Sequence, residues 1–145
     1  MFDETMVGYC GLDCSICKRA HEKENPCLGC KGPEENKYEY CRTQCEIMQC
    51  DRLKEKGYAF CIECDRFPCA GVMEKENRYA VKYVWTESPI ANLQAIRSKG
   101  LSAFLARQRK RWTCKKCGGI ISVHTGICNG CQRKVTPGMS REEHE

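Results

Sequence analysis

Eleven cysteines crowd into the first half of this chain, at Cys10, Cys14, Cys17, Cys27, Cys30, Cys41, Cys45, Cys50, Cys61, Cys64 and Cys69. Residues 70–113 carry none, and a second group follows at Cys114, Cys117, Cys128 and Cys131. The 41% hydrophobic fraction of the 145 residues already includes those fifteen cysteines, while 30% of the chain is charged and the mean hydropathy is -0.59. Little is left for an ordinary apolar core, so the fold needs a staple, either disulfides or metal.

The sequence favours metal. Met1–Thr5 has neither a basic start nor an apolar run, so no signal peptide is expected. No run of about 18 apolar residues suggests a membrane span. The expected setting is cytoplasmic, where thiols stay reduced and hold metal rather than pair. The odd count of fifteen agrees, since a disulfide framework would leave one cysteine over.

Cys114-x2-Cys117, ten residues, then Cys128-x2-Cys131 supplies two knuckles that can meet in one tetrahedron. Ile120–Val123 reads as a strand and His124–Gly126 as a turn back, which gives a zinc ribbon hairpin. Gly118 permits a positive φ, so amides can point at sulfur. His124 is expected to be a turn residue and not a ligand. Cys14-x2-Cys17, nine residues, then Cys27-x2-Cys30 nearly repeats the spacing and is expected to form a second four-cysteine site. His21 follows in a charged run, as a substitute ligand or as a solvated side chain. A third site is drawn from Cys45, Cys50, Cys61 and Cys64, with Cys10, Cys41 and Cys69 as further candidates; cross-braced sites sharing these pairs also fit the spacing. About three zinc ions result.

Iron–sulfur binding is the alternative cofactor, because four thiolates hold clusters as well as zinc. Cys10-x3-Cys14-x2-Cys17 matches the spacing of radical enzymes that use S-adenosylmethionine, yet nothing after Cys69 supplies their barrel. A thiol redox pair would call for a βαβ pattern, which is missing. The all-cysteine spacing favours closed structural sites over a catalytic metal with an open position, and none of the three histidines has a convincing catalytic partner.

Helices are expected between the two cysteine groups. Val72, Glu76, Tyr79, Ala80 and Tyr83 share one face, with Trp85 at the end. Ser88-Pro89 is a helix start, and Gly100 follows Arg97 and Lys99 at its end. From Leu101 to about Arg111, Leu101, Phe104, Leu105, Gln108 and Trp112 align on one face. Cys41–Leu53 is read as a further short helix ended by Gly57, Lys31–Tyr40 as an exposed loop, and Met1–Tyr9 as loosely ordered.

Charge is unevenly spread. Residues 1–87 hold 13 basic and 16 acidic side chains, whereas 88–140 hold ten basic and no acidic ones. Arg107, Arg109, Lys110, Arg111, Lys115 and Lys116 form a candidate basic surface within residues 97–116, with Trp112 available for stacking or else buried under the ribbon. The basic helix can alternatively dock on the acidic half of its own chain.

Tyr9-Cys-Gly-Leu-Asp-Cys-x2-Cys17, Cys27-x-Gly-Cys30 and Cys61-x-Glu-Cys-Asp-x-Phe-Pro-Cys69 resemble a bacterial and archaeal cysteine-rich family, a domain of unknown function presumed to bind zinc. Some of its members look like this chain at 92–101, Asn-Leu-x-x-Ile-x-x-x-Gly-Leu, and at 112–118, Trp-x-Cys-x-x-Cys-Gly. Cys41 is an extra relative to the family pattern, and Gln132 stands where a glycine often follows the second knuckle. The resemblance implies zinc binding and no defined activity.

The reading is a small metal-stabilised protein, α plus irregular. Residues 1–70 form a cysteine-rich zinc-knuckle domain, 71–112 a helical connector, 113–136 a zinc ribbon and 137–145 a frayed tail. The expected role is a binding or adaptor module for an unknown protein or nucleic acid, with no membrane partner.

Overall fold

A computed structural model describes residues 2–138. It is mostly helical, with five α-helices: α1 Glu39–Thr43, α2 Asp51–Lys56, α3 Ala70–Val81, α4 Pro89–Lys99 and α5 Leu101–Trp112. Among the described residues β-structure is limited to isolated antiparallel bridges, Val7 with Asp13, Thr113 with Ile120, Ile121 with Cys128, and Ile127 with Lys134. Among the described residues no helix is long and apolar enough to cross a membrane. The tail from residue 139 onward lies outside the described residues.

The cysteine-free middle folds as its pattern predicts, apart from one boundary. Ser88 caps α4, its side chain accepting the Ala91 amide, with Pro89 in the first turn. Glu76 on α3 accepts from Ser88 Oγ and from the Ile90 amide at 3.1 Å, which places a carboxylate at the positive end of α4. Helix α3 stops at Val81, so Tyr83 and Trp85 lie beyond it. The Trp85 amide donates instead to Val123 at 3.1 Å.

Two predicted segments differ. The helix expected over Cys41–Leu53 is broken into α1 and α2. The Gln44 and Cys45 amides both turn back to the Tyr40 carbonyl, which ends α1 and frees Cys45 and Ile47 to enter the core. Gly57 does close α2, in the left-handed conformation that glycine tolerates best. The lead-in is also ordered. Asp3 caps a single 3-10 turn at Glu4–Met6, and Met6 and Val7 are buried.

There are two apolar clusters. The larger joins Val7, Cys10, Cys45, Ile47, Leu53, Phe60, Ile62, Val72, Leu93, Ile96, Phe104 and Leu105. Gly11 admits α4 to it: at φ +93, a Cβ there would stand 2.6 Å from the Pro89 carbonyl oxygen and 2.7 Å from Leu93 Cγ. The smaller cluster gathers Ile16, Trp112, Cys114, Ile120, Ile121, Val123 and Cys128. Ile16 therefore packs among residues from the far end of the chain, and the Val123 amide donates to its carbonyl at 2.8 Å.

Candidate metal centre

The C-terminal cysteines are drawn together by the backbone. The Cys114 amide donates to the Gly119 carbonyl at 2.7 Å, and the Gly118 amide donates to Cys114 at 2.8 Å, curling the first knuckle. The second mirrors it, with the Gln132 amide on the Cys128 carbonyl at 2.9 Å. Asn129 locks the two in register: its amide donates to the Ile120 carbonyl at 2.9 Å, and its Oδ1 accepts the Ile120 amide at 2.8 Å. Gly118 takes φ 81, as expected, and Gln132 takes φ 62 without being glycine.

As a result the four Sγ atoms of Cys114, Cys117, Cys128 and Cys131 lie within 4.8 Å of one another. Cys117 and Cys128 are 3.4 Å apart, and Cys114 and Cys131 are 4.0 Å apart. Four thiolates around one zinc, with Zn–S bonds of about 2.3 Å, stand roughly 3.8 Å from each other. The group thus has the dimensions of a single tetrahedral ion. Amides from Gly119 and Gly130 donate to Cys117 and Cys128 at 3.4 and 3.3 Å. The Cys117 and Lys116 amides do the same for Cys114 and bring its thiol down to about 7, which favours the thiolate. Gly119 and Gly130 are required by space, since a Cβ would stand 2.7 Å from Cys128 Sγ at the first and 2.8 Å from Cys117 Sγ at the second.

The N-terminal cysteines are arranged differently. Cys10, Cys14, Cys17, Cys27, Cys30, Cys41 and Cys45 line one cavity of about 610 Å³, walled also by α3 through Lys75, Arg78 and Tyr79. Among the described residues no three of these thiols come as close together as the C-terminal four. Burial, with the neighbouring Cys30 and Cys45, pushes the Cys10 thiol up to about 12. Cys14 rises for the same reason beside Cys30, Cys17 and Cys10, and Cys41 rises to about 11 beside Cys45, Cys27 and Cys17. Of the set drawn as a third site, Cys45 belongs to this cavity. Cys50 and Cys61, with Cys69, pack at the larger apolar cluster. Cys64 lies at the surface, where the Arg66 amide and the Arg52 guanidinium lower its thiol.

Both histidines near the cysteines are hydrogen-bonded. His21 Nε2 meets the Ser15 carbonyl at 2.8 Å, so the side chain is tied down and not solvated. His124 accepts the Lys18 amide on Nδ1 at 3.2 Å, and its Nε2 meets Tyr79 Oη at 3.1 Å. That pairing fixes the neutral tautomer with the proton on Nε2. Burial, with Lys18 and Arg19 nearby, brings the ring down to about 4.

The basic surface divides in two. Arg109, Lys110, Lys115 and Lys116 are exposed, as are Arg97 and Lys99. Arg107 and Arg111 turn inward instead, lining a recess with Glu76, Glu87, Asn92 and Gln108. Arg107 donates to the Asn92 side-chain carbonyl at 3.3 Å. Trp112 is fully buried and offers no face for stacking.

Two inward polar groups carry no sequence signal. Lys75 is 5% exposed. Asp13 is buried and Glu87 half-buried, and desolvation raises the pKa of both carboxyls despite hydrogen bonds from Gln108 to each.

Residues 6–74 match the sequence model of a family described as a protein of unknown function (DUF3795). That span covers the N-terminal cysteines and the start of α3, and stops short of α4, α5 and the C-terminal four. No curated protein and no solved structure matches the chain.

Proposed function

We propose that the chain is a metal-stabilised binding module in which Cys114, Cys117, Cys128 and Cys131 hold one zinc ion. The carrying observation is the closeness of four sulfurs, within 4.8 Å, on knuckles that supply amide donors to them. A closed thiolate set of this kind is structural, because no coordination position is left for a substrate. Zinc orders the loop that displays Lys115 and Lys116, directly after the exposed Arg109 and Lys110 of α5. Metal binding and presentation of a cationic face are thereby one event.

An acidic protein surface is the partner that fits best. Stacking on single-stranded nucleic acid needs an accessible ring, and Trp112 is buried. The N-terminal half is acidic, so the exposed cations form one pole of the molecule.

Elemental analysis of protein purified without added metal tests the first part, with one zinc per chain lost in Cys131→Ser. For the second part, Arg109, Lys110, Lys115 and Lys116 are replaced together by Gln and binding to polyglutamate and to duplex DNA is followed against salt. Salt-sensitive binding to polyglutamate that the replacement removes supports the reading. Tighter binding to DNA makes nucleic acid the partner, and retention of binding in the variant overturns the assigned surface.

A further inference from the structure

The same chain contains two solutions to gathering thiols, and their difference in scale is informative. Around a single ion four sulfurs must approach to about 3.8 Å. The C-terminal four do so, while the seven thiols of the N-terminal cavity surround about 610 Å³ without any three of them closing to that degree. Thiolates that ligate a cluster each bind a different metal atom and stand apart around it.

The deepest of the seven are Cys10 and Cys45, 7% and 6% exposed. Cys30 and Cys10 meet across Gly8, where an added Cβ would be 3.2 Å from one sulfur and 3.9 Å from the other. Cys14 joins them through the Cys30 amide, which donates to its sulfur, while the Leu12 and Tyr9 amides donate to Cys10 and Cys30. Amide donors of this kind stabilise thiolates and tune cluster potential.

Lys75 is an independent sign of negative charge in this place. Its ammonium is buried, yet the carboxylate it meets, Glu74, is 3.9 Å away, 41% exposed and already paired with Arg78. Tyr40 provides a ring face at 4.7 Å and a hydroxyl at 3.4 Å. Neither is a full counter-ion for a buried cation, which is costly to leave uncompensated. Lys75 lines the same cavity as Cys10 and Cys45.

We propose that this cavity holds a polynuclear thiolate-ligated cluster of the iron–sulfur class, with Cys10, Cys14, Cys30 and Cys45 as ligands and Lys75 as the buried counter-charge. Four thiolates do not complete the coordination of several metal atoms unless bridging ligands are part of the cluster, and inorganic sulfide supplies them. The assignment is independent of the C-terminal zinc and differs from the grouping Cys14, Cys17, Cys27 and Cys30 that spacing suggests.

The test uses the full chain, purified without oxygen and reconstituted with ferric iron, inorganic sulfide and excess thiol, the ferric iron supplying the oxidising equivalents of the cluster. Iron and acid-labile sulfide in equal amounts, with broad visible absorbance, are expected alongside one zinc. Cys131→Ser should lose the zinc and keep the colour; Cys10→Ser, Cys14→Ser, Cys30→Ser and Cys45→Ser should each lose colour and keep the zinc. A colourless wild-type chain whose N-terminal thiols take up only zinc overturns the proposal, as does colour that survives all four substitutions. Lys75→Met guards against loss of folding as the explanation. It should keep its iron and show a more negative midpoint potential, with Lys75→Arg restoring the wild-type value. An unchanged potential in Lys75→Met overturns the counter-charge assignment.

Discussion

Gln108 Nε2 lies 3.1 Å from Asp13 Oδ2 and also 3.1 Å from Glu87 Oε2, so one amide on α5 bridges a buried and a half-buried carboxylate. Asp13 sits between Cys10 and Cys14 and caps the 3-10 turn at Cys14–Ile16 through the Ser15 amide. Asn92 extends the bridge, donating to the Gly11 carbonyl at 2.9 Å and to Glu87 at 3.3 Å. Replacing Gln108 by Leu keeps the volume and removes the donor from both acids. The expected loss is about 2–3 kcal/mol, since a buried acceptor left unpaired costs most of its desolvation. Urea unfolding at neutral pH measures it, and a change below about 0.5 kcal/mol would show that the bridge carries little stability.

Glycines separate cost to the fold from cost to the metal. Gly119→Ala and Gly130→Ala each drive a methyl toward a ligand sulfur and should remove the C-terminal zinc. Gly57 has φ 66 and nothing within 4 Å of its would-be Cβ. Gly57→Ala should therefore cost about 1 kcal/mol with full zinc retained. Zinc content and thermal unfolding of the three variants decide between steric and conformational causes.

Gly11 makes a sharper demand, because the Pro89 and Leu93 contacts add to a positive φ. Gly11→Ala should displace α4 from the larger cluster and lower stability by more than about 3 kcal/mol. Loss of amide-exchange protection across α4, with α3 less affected, is the expected pattern.

His124 gives a pH dependence with a definite sign. Its folded pKa, about 4, is below the ordinary value of 6.5, so the unfolded chain takes up the proton first on acidification. Its contribution is present in full above about pH 6.5 and is lost as pH falls toward 4. Allowing for the partial exposure of the ring, the effect is on the order of 1 kcal/mol. His124→Gln should flatten the stability curve in that window relative to wild type, measured at constant zinc. Equal slopes would show that the ring does not resist protonation.

Local signals were legible in the residues and tertiary ones were not. Ser88-Pro89, the face of α5 and Gly57 acted as their chemistry predicts, because each is decided within a turn or two of helix. The paired C-terminal cysteines were legible as a group, while the pairing around them proves to be single bridges. The helix expected over Cys41–Leu53 had the right period, but burial of Cys45 and Ile47 required a break after Thr43 that no local preference announces. Lys75 reads as an ordinary surface lysine until the thiols beside it are placed by segments 30 and 65 residues away. The basic surface read from residues 107–116 gave no hint that Arg107 and Arg111 line a recess with Glu87, since that acid comes from the loop between α3 and α4.

The insertion of Ile16 among Trp112, Cys114 and Val123 limits how this chain can be cut. A fragment ending near residue 74, where the family match stops, would leave Ile16 uncovered and Asp13 without the Gln108 amide. The N-terminal segment is not a detachable module in this protein.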